Sequence, residues 1–294
     1  MSVFKIHLFG KFSVRRGERG EEPAQGFDAH KEQELLSYLL LHRNRPHARE
    51  ALAGLLWGEV PTEKSKKYLR QALWHIQAAL DARAGGVLTV EHDWVQLDAG
   101  AGVWLDVEVF ERTFMLVHDS RGAELDEPSV GALQEAAQLY RGDLLEGWYQ
   151  DWCLYERERL QNMYLVMLDK LMCYCEAHRK FELGLLYGSA VLRYDRAHER
   201  THRQLMSLQY LSGDRTAALR QFERCAAALE EELGVKPDKL TAALYQKIRA
   251  DHAEPGAQAP PPAEGSSVSL ADVLGHLKQI QNILAELQGR TLEK

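Results

Sequence analysis

The sequence predicts a mainly α protein: an α+β domain over residues 1–98, an all-α domain over residues 105–252 and a short amphipathic helix over residues 268–290. Three observations carry this. Short strand-like runs, three helical stretches and a hairpin crowd into the first hundred or so residues. Leucine-rich helical periodicity then runs to about Ala250 and matches itself at an offset of 34 residues. Finally, a Pro/Gly/Ser segment separates that region from a heptad pattern.

Phe4 to Val14 alternates loosely around Gly10, and the charged, turn-rich run before Phe27 interrupts it, which reads as two or three short strands. Asp28 is placed to cap a helix whose apolar face is Leu35, Leu36, Leu39 and Leu40, ending near Asn44-Arg45-Pro46. A second helix is expected from Ala48 to Trp57. Pro61-Thr62 opens a third, with Leu69, Leu73, Ile76 and Leu80 on one face, and Gly85-Gly86 ends it. Val87–Val90 and Trp94–Leu97 flank the polar Glu91-His92-Asp93 as a hairpin. This order of elements is that of a winged helix-turn-helix.

From Val107 onward the strand signals vanish. At the 34-residue offset Leu171 pairs with Leu205, Tyr174 with Leu208, Gly184 with Ala218, Leu185 with Leu219 and Val191 with Cys225. Thirty-four is the tetratricopeptide period, and small residues at Gly184, Ala217 and Ala218 suit close helix packing. Residues 253–267 are too rich in proline, glycine and serine to bury a core and read as a linker. Beyond them Leu270, Val273, Leu277, Ile280, Leu284 and Leu287 form a heptad seam, expected to make a coiled-coil helix that joins copies of the chain or a partner.

Composition bounds the function. Of 294 residues 45% are hydrophobic and 27% charged, and no window approaches the roughly 18 to 20 apolar residues of a membrane span. The start Met1–His7 has no apolar signal core, so a cytoplasmic protein with reduced cysteines is expected. The net charge of −7 is unevenly spread: residues 1–98 hold 14 Lys and Arg against 13 Asp and Glu, and residues 99–294 hold 22 against 30. Only the first third suits phosphate, and its modest charge favours dimers or tandem sites on DNA.

Several segments carry a resemblance. The densest is Asp195 to Ile248, with Glu199, His202-Arg203-Gln204-Leu205-Met206, Gly213-Asp214-Arg215, Ala217-Ala218-Leu219, Glu232 to Pro237 and Leu244-Tyr245. Tyr140 to Leu145, Trp152 to Leu160, Arg45-Pro46, Leu52 to Trp57 and Leu69 to Leu80 join it. Together they resemble the antibiotic-regulatory-protein (SARP) type of bacterial transcriptional activator, in which an OmpR-like winged helix precedes a bacterial transcriptional activation domain. The resemblance implies binding to double-stranded promoter DNA and contact with RNA polymerase, for which Gly58 to Glu63 corresponds to the polymerase-facing segment. Three departures stand out. Arg196 replaces a usual proline, Ile76-Gln77 replaces a frequent Leu-Arg, and no Gly-x4-Gly-Lys-Ser/Thr run supplies a nucleotide-hydrolysing switch.

At 100° per residue, centring the buried face of the third helix on its leucines puts Lys64, Lys67, Gln71, Trp74 and Ala78 opposite the core, with Arg70 and His75 on the flanks. Lys64, Lys67, Arg70, Gln71, Trp74 and His75 are therefore the candidate DNA-contacting residues; for Trp74 packing on the wing or the next domain is the competing reading. The acids of the hairpin tip would repel phosphate, which argues against wing insertion. Arg193, Arg196, Arg200 and Arg203 form a candidate anion site for a small-molecule effector, against which stands pairing with Asp195, Glu199 and Glu223. Cys173, Cys175 and His178 do not make a metal site, since the two cysteines point about 200° apart on a helix. No catalytic set stands out, so the expectation is a non-enzymatic regulator without a cofactor. Two rivals are a protein-interaction scaffold using the tetratricopeptide groove, and a regulator gated by an anionic nucleotide between its domains.

Overall fold

A computed structural model describes residues 4–17, 22–24, 26–27, 29–43, 45–81, 87–98 and 102–251. Asp28, Gly85-Gly86, the linker at 253–267 and the heptad residues Leu270, Val273, Leu277, Ile280, Leu284 and Leu287 lie outside the described residues.

Strand β1 (Phe4–His7) pairs antiparallel with β2 (Ser13–Arg16), setting Ile6 opposite Val14, and β2 pairs antiparallel with β3 (Glu22–Pro23). Helix α1 (His30–Leu41) follows. Its N-cap residue is Ala29, which provides no side-chain capping bond. A two-residue strand β4 (His47–Ala48) leads into α2 (Arg49–Trp57) and then α3 (Thr62–Asp81). The hairpin β5 (Leu88–Val90) and β6 (Trp94–Leu97) pairs in the expected antiparallel register, and β4 adds to its β6 edge. One further strand departs from the expected order. β7 (Val103–Leu105) returns to the first sheet and pairs parallel to β1, with Phe4 opposite Val103.

The rest is helical: α4 (Asp106–Val117), a 3-10 turn (Gly122–Glu124), α5 (Glu127–Leu139), α6 (Asp151–Ala177), α7 (Phe181–Tyr194), α8 (Glu199–Leu211), α9 (Arg215–Leu233) and α10 (Lys239–Ala250). Local chemistry sets several ends. Asp126 and Asp214 accept the backbone N–H of Ser129 and Ala217, capping α5 and α9, and Gly234 closes α9 in the left-handed region that glycine adopts without strain. Each pair of positions matched at the 34-residue offset shares its burial: Leu171 with Leu205, Tyr174 with Leu208, Gly184 with Ala218 and Val191 with Cys225 are buried, and Leu185 and Leu219 are half-buried. The periodicity thus marks two successive helical hairpins, α6–α7 and α8–α9, with matching buried positions. At Gly184 an added Cβ would come within 2.8 Å of Leu208 Cδ1 and 3.2 Å of Cys175 Cβ, so α7 packs closely on its neighbours there and a larger residue would push Leu208 aside.

Strands and helices share one compact unit up to Ala250, with a main core running from Phe4 to Val191 and smaller clusters in the later helices, such as Met206, Ala218 and Ile248. Phe9, just past β1, sits edge-on to Phe110 of α4 and tilted against Tyr140, which stacks on Tyr164 of α6. The Tyr140–Leu145 motif earns its composition here. Gly10 donates to Asp143 O, Leu145 N–H donates to Leu8 O, and Glu146 N–H donates to Gly10 O, so the segment continues the backbone pairing of β1. Asp106, 1% exposed, accepts the N–H groups of Leu8 and Phe9 at 2.9–3.0 Å and locks the start of α4 onto the end of β1.

Candidate nucleic-acid interface

Helix α3 buries Ser65, Leu69, Ala72, Leu73, Ile76 and Leu80 and exposes Lys64, Lys67, Arg70, Gln71, Trp74 and Ala78. The phase predicted from the leucines is the phase found. Pro61 accepts the N–H groups of Lys64 and Ser65 and starts the helix, while Lys66 on its flank reaches Glu50 of α2 at 2.7 Å. Among the described residues no carboxylate pairs with Lys64, Lys67 or Arg70. Three cations therefore stand within two turns of one helix, with no carboxylate partner among the described residues, as a phosphate-facing surface requires.

Trp74 is 66% exposed and its ring neighbour is the adjacent His75, at 5.2 Å between centroids. Among the described residues its ring makes no aromatic contact with the hairpin or the helical domain. His75 is half-buried, and its Nδ1 lies 2.5 Å from Glu32 Oε1 on α1. That contact orients the imidazole and leaves Nε2 on the outer side of the ring. At the hairpin tip, Arg49 at the start of α2 donates its backbone N–H to Asp93 O and its Nη1 to Glu91 O. The backbone of the tip is held, while the side chains of Glu91, His92 and Asp93 remain exposed and acidic on balance.

The face of α1 opposite its leucines was not foreseen as an interface. His30 packs on Trp148, Glu34 accepts from Gln150 Nε2 at 2.5 Å, and Tyr38 lies edge-on to Trp152. Beyond the helix, Arg43 reaches Glu111 of α4 at 2.6 Å, and Glu111 also takes Arg159 of α6. Glu34 is 2% exposed. The signal available in the sequence was Tyr38 and Leu41 on a face otherwise polar, which marks a helix covered on both sides. α1 is thus clamped between α3, through Glu32 and His75, and the helical domain.

The candidate anion site is differently arranged. Arg196 pairs with Glu231 and Glu232 of α9, Arg200 with Asp169 of α6, and Arg203 with Asp238, just before α10, and Thr241, so three of the four guanidiniums are engaged by carboxylates. Arg193 is exposed on α7. Cys173 accepts from Gln204 Nε2 at 3.2 Å, Cys175 is buried, and His178 contacts Tyr174 O. Burial pushes the Cys175 and Cys225 thiols up to about 11, away from the reactive thiolate.

Residues 105–249 match the family model described as the bacterial transcriptional activator domain. The chain therefore carries a bacterial transcriptional activator domain, which supports a SARP-type transcriptional activator. Over 240 residues this regulator is 28% identical to the regulatory protein AfsR of Streptomyces coelicolor, a match covering 80% of this chain and 23% of AfsR. The chain therefore spans about a quarter of the length of that curated relative. Its fold is similar to that of EmbR from Mycobacterium tuberculosis, solved in complex with a low-affinity phosphopeptide. The TM-score is 0.65 at 19% identity, over 85% of this chain and 65% of that one. That likeness shows a shared arrangement of winged helix and helical domain. In this activator-domain protein, no helix among the described residues is long and apolar enough to cross a membrane.

Proposed function

We propose that this regulator binds promoter DNA by seating α3 in the major groove and presents the segment Gly58 to Glu63 and its activator domain to RNA polymerase. The observation that carries the reading is the outward face of α3, where Lys64, Lys67 and Arg70 have no carboxylate partner among the described residues and Gln71 and Trp74 continue the same exposed face. Cations position such a helix on phosphate, and an amide and an aromatic ring read base edges. The work is occupancy and recruitment, without chemistry on a substrate. With Arg196, Arg200 and Arg203 already paired, an anionic effector has less to bind than four arginines in sequence suggest.

The test is a mobility-shift titration of the full chain on its own upstream region in low and in physiological salt. Lys67→Ala with Arg70→Ala should weaken retention and flatten the log–log salt dependence by about one unit per lost phosphate contact. Unchanged retention in the double variant overturns the residue assignment. Failure of the unaltered chain to retain any duplex in either salt favours the interaction scaffold.

A further inference from the structure

The outward stripe of α3 has two parts with different chemistry. Lys64, Lys67 and Arg70 cover its first half with charge, whereas from Gln71 onward the exposed positions are an amide, an indole and the methyl of Ala78. A tryptophan with two thirds of its surface in water, on the face of a helix that has no need of it for packing, is an unoccupied apolar contact. The charge beside it selects the occupant: a polyanion drawn to the three cations would carry its own apolar group to the ring.

In the major groove the apolar group on the base edges is the C5-methyl of thymine. Gln71 and Trp74 lie three residues apart, about 4.5 Å along the helix axis, close to the rise of roughly 3.4 Å between base pairs. A glutamine amide matches the N6 donor and N7 acceptor of adenine. Resting on the DNA-binding reading above, we infer that this regulator reads a step of two adjacent A·T pairs, with Gln71 on adenine and the Trp74 indole on a thymine methyl. Trp74 is then a specificity-determining residue and Lys64, Lys67 and Arg70 supply affinity indifferent to sequence. His75, oriented by Glu32, supports the indole from the side.

The experiment separates this inference from the reading beneath it. The full chain is first used to select binding sites from a library of random duplexes. Each selected thymine is then replaced singly by uracil, which removes the methyl and leaves the hydrogen-bonding edge intact. Replacement at one position should weaken the unaltered protein about fourfold, the worth of one buried methyl group. Trp74→Ala, at an exposed position and so expected to melt at the unaltered temperature, should bind thymine and uracil duplexes equally. Trp74→Phe should keep part of the discrimination. Selected sites without an enriched A·T step, tolerance of uracil at every position, or equal discrimination by Trp74→Ala overturns the inference while DNA binding stands. A selection that retains no duplex overturns the proposed function and the inference with it.

Discussion

Gln150 donates its side-chain amide to Glu34 across 2.5 Å, joining the first helix of the winged domain to the loop that opens the longest helix of the activator domain. Glu34 also holds His30 and Lys31 at 2.9 and 2.7 Å. Replacing it with alanine strands the half-buried amide of Gln150 beside a fully buried position. Glu34→Ala is expected to cost about 2 kcal/mol, in the range for an unsatisfied buried polar group. Urea unfolding followed by fluorescence should show a lower midpoint with one cooperative transition. Two separated transitions would mean that the two domains do not share one folding unit.

Glu111 offers a second measure of the same seam. Its carboxylate is held by Arg43 and Arg159, and removing it leaves two guanidiniums facing each other. Arg159 is about one third exposed, so solvent screens part of the repulsion. Glu111→Ala should therefore destabilise by about 2 kcal/mol, below the full loss for a wholly buried pair. In a double-mutant cycle with Arg43→Ala the two losses should fall short of additive, read from thermal melts.

Two glycine-to-alanine changes should act in opposite directions. A Cβ at Gly122 would stand 2.4 Å from the backbone oxygen of Lys170, and α6 cannot yield there without moving its main chain. Gly122→Ala is expected to lower stability by about 2 kcal/mol. At Gly131, inside α5, a Cβ meets nothing within 4 Å, and alanine should raise stability by about 0.5–1 kcal/mol through the unfolded chain. Calorimetric melting of the two variants checks the pair.

His202 sets a pH dependence. Its Nε2–H donates to Arg196 O at 2.9 Å while its Nδ1 accepts from Gln221 Nε2 at 2.8 Å, and burial holds its pKa below the usual 6.5. Burial lowers His42 in the same way, helped by Arg45, His47 and Arg159 against the opposing pull of Glu156. The unfolded chain then takes up these protons first as pH falls. Their contribution to stability is complete above about pH 6.5 and is lost progressively below it. Melting temperatures between pH 7.5 and 5.5 should fall with acidification, and His202→Gln should show the shallower fall despite starting lower.

Local signals account for what the sequence made legible. The phase of α3 follows from Leu69, Leu73, Ile76 and Leu80, and the hairpin from two apolar runs around Glu91-His92-Asp93, because each pattern is complete within one element. Partners that depend on chain distance were another matter. The arginines at 196, 200 and 203 pair not with Asp195, Glu199 or Glu223 but with carboxylates 31 to 36 residues away, near the repeat period itself. β7 is three residues long and finds its partner on the far side of the winged helix, so no periodicity announces it. Asp106 looks like an ordinary acid in a first helical turn until Leu8 and Phe9 are brought to it.

The pairing of Phe4 with Val103 makes the entire winged domain the loop between two ends of one ladder. The cost of closing so long a loop falls early in assembly, before the contact returns its share. During synthesis β1 leaves the ribosome as an open strand edge and stays so until nearly a hundred further residues have followed. Whatever holds the winged domain meanwhile, its sheet is completed only when the activator domain begins to emerge. A chain ending at Asp98 is therefore left permanently in that earlier condition, with β1 still paired to β2 on one side but its other edge, where Val103–Leu105 would lie, open and so prone to pair with another copy of itself.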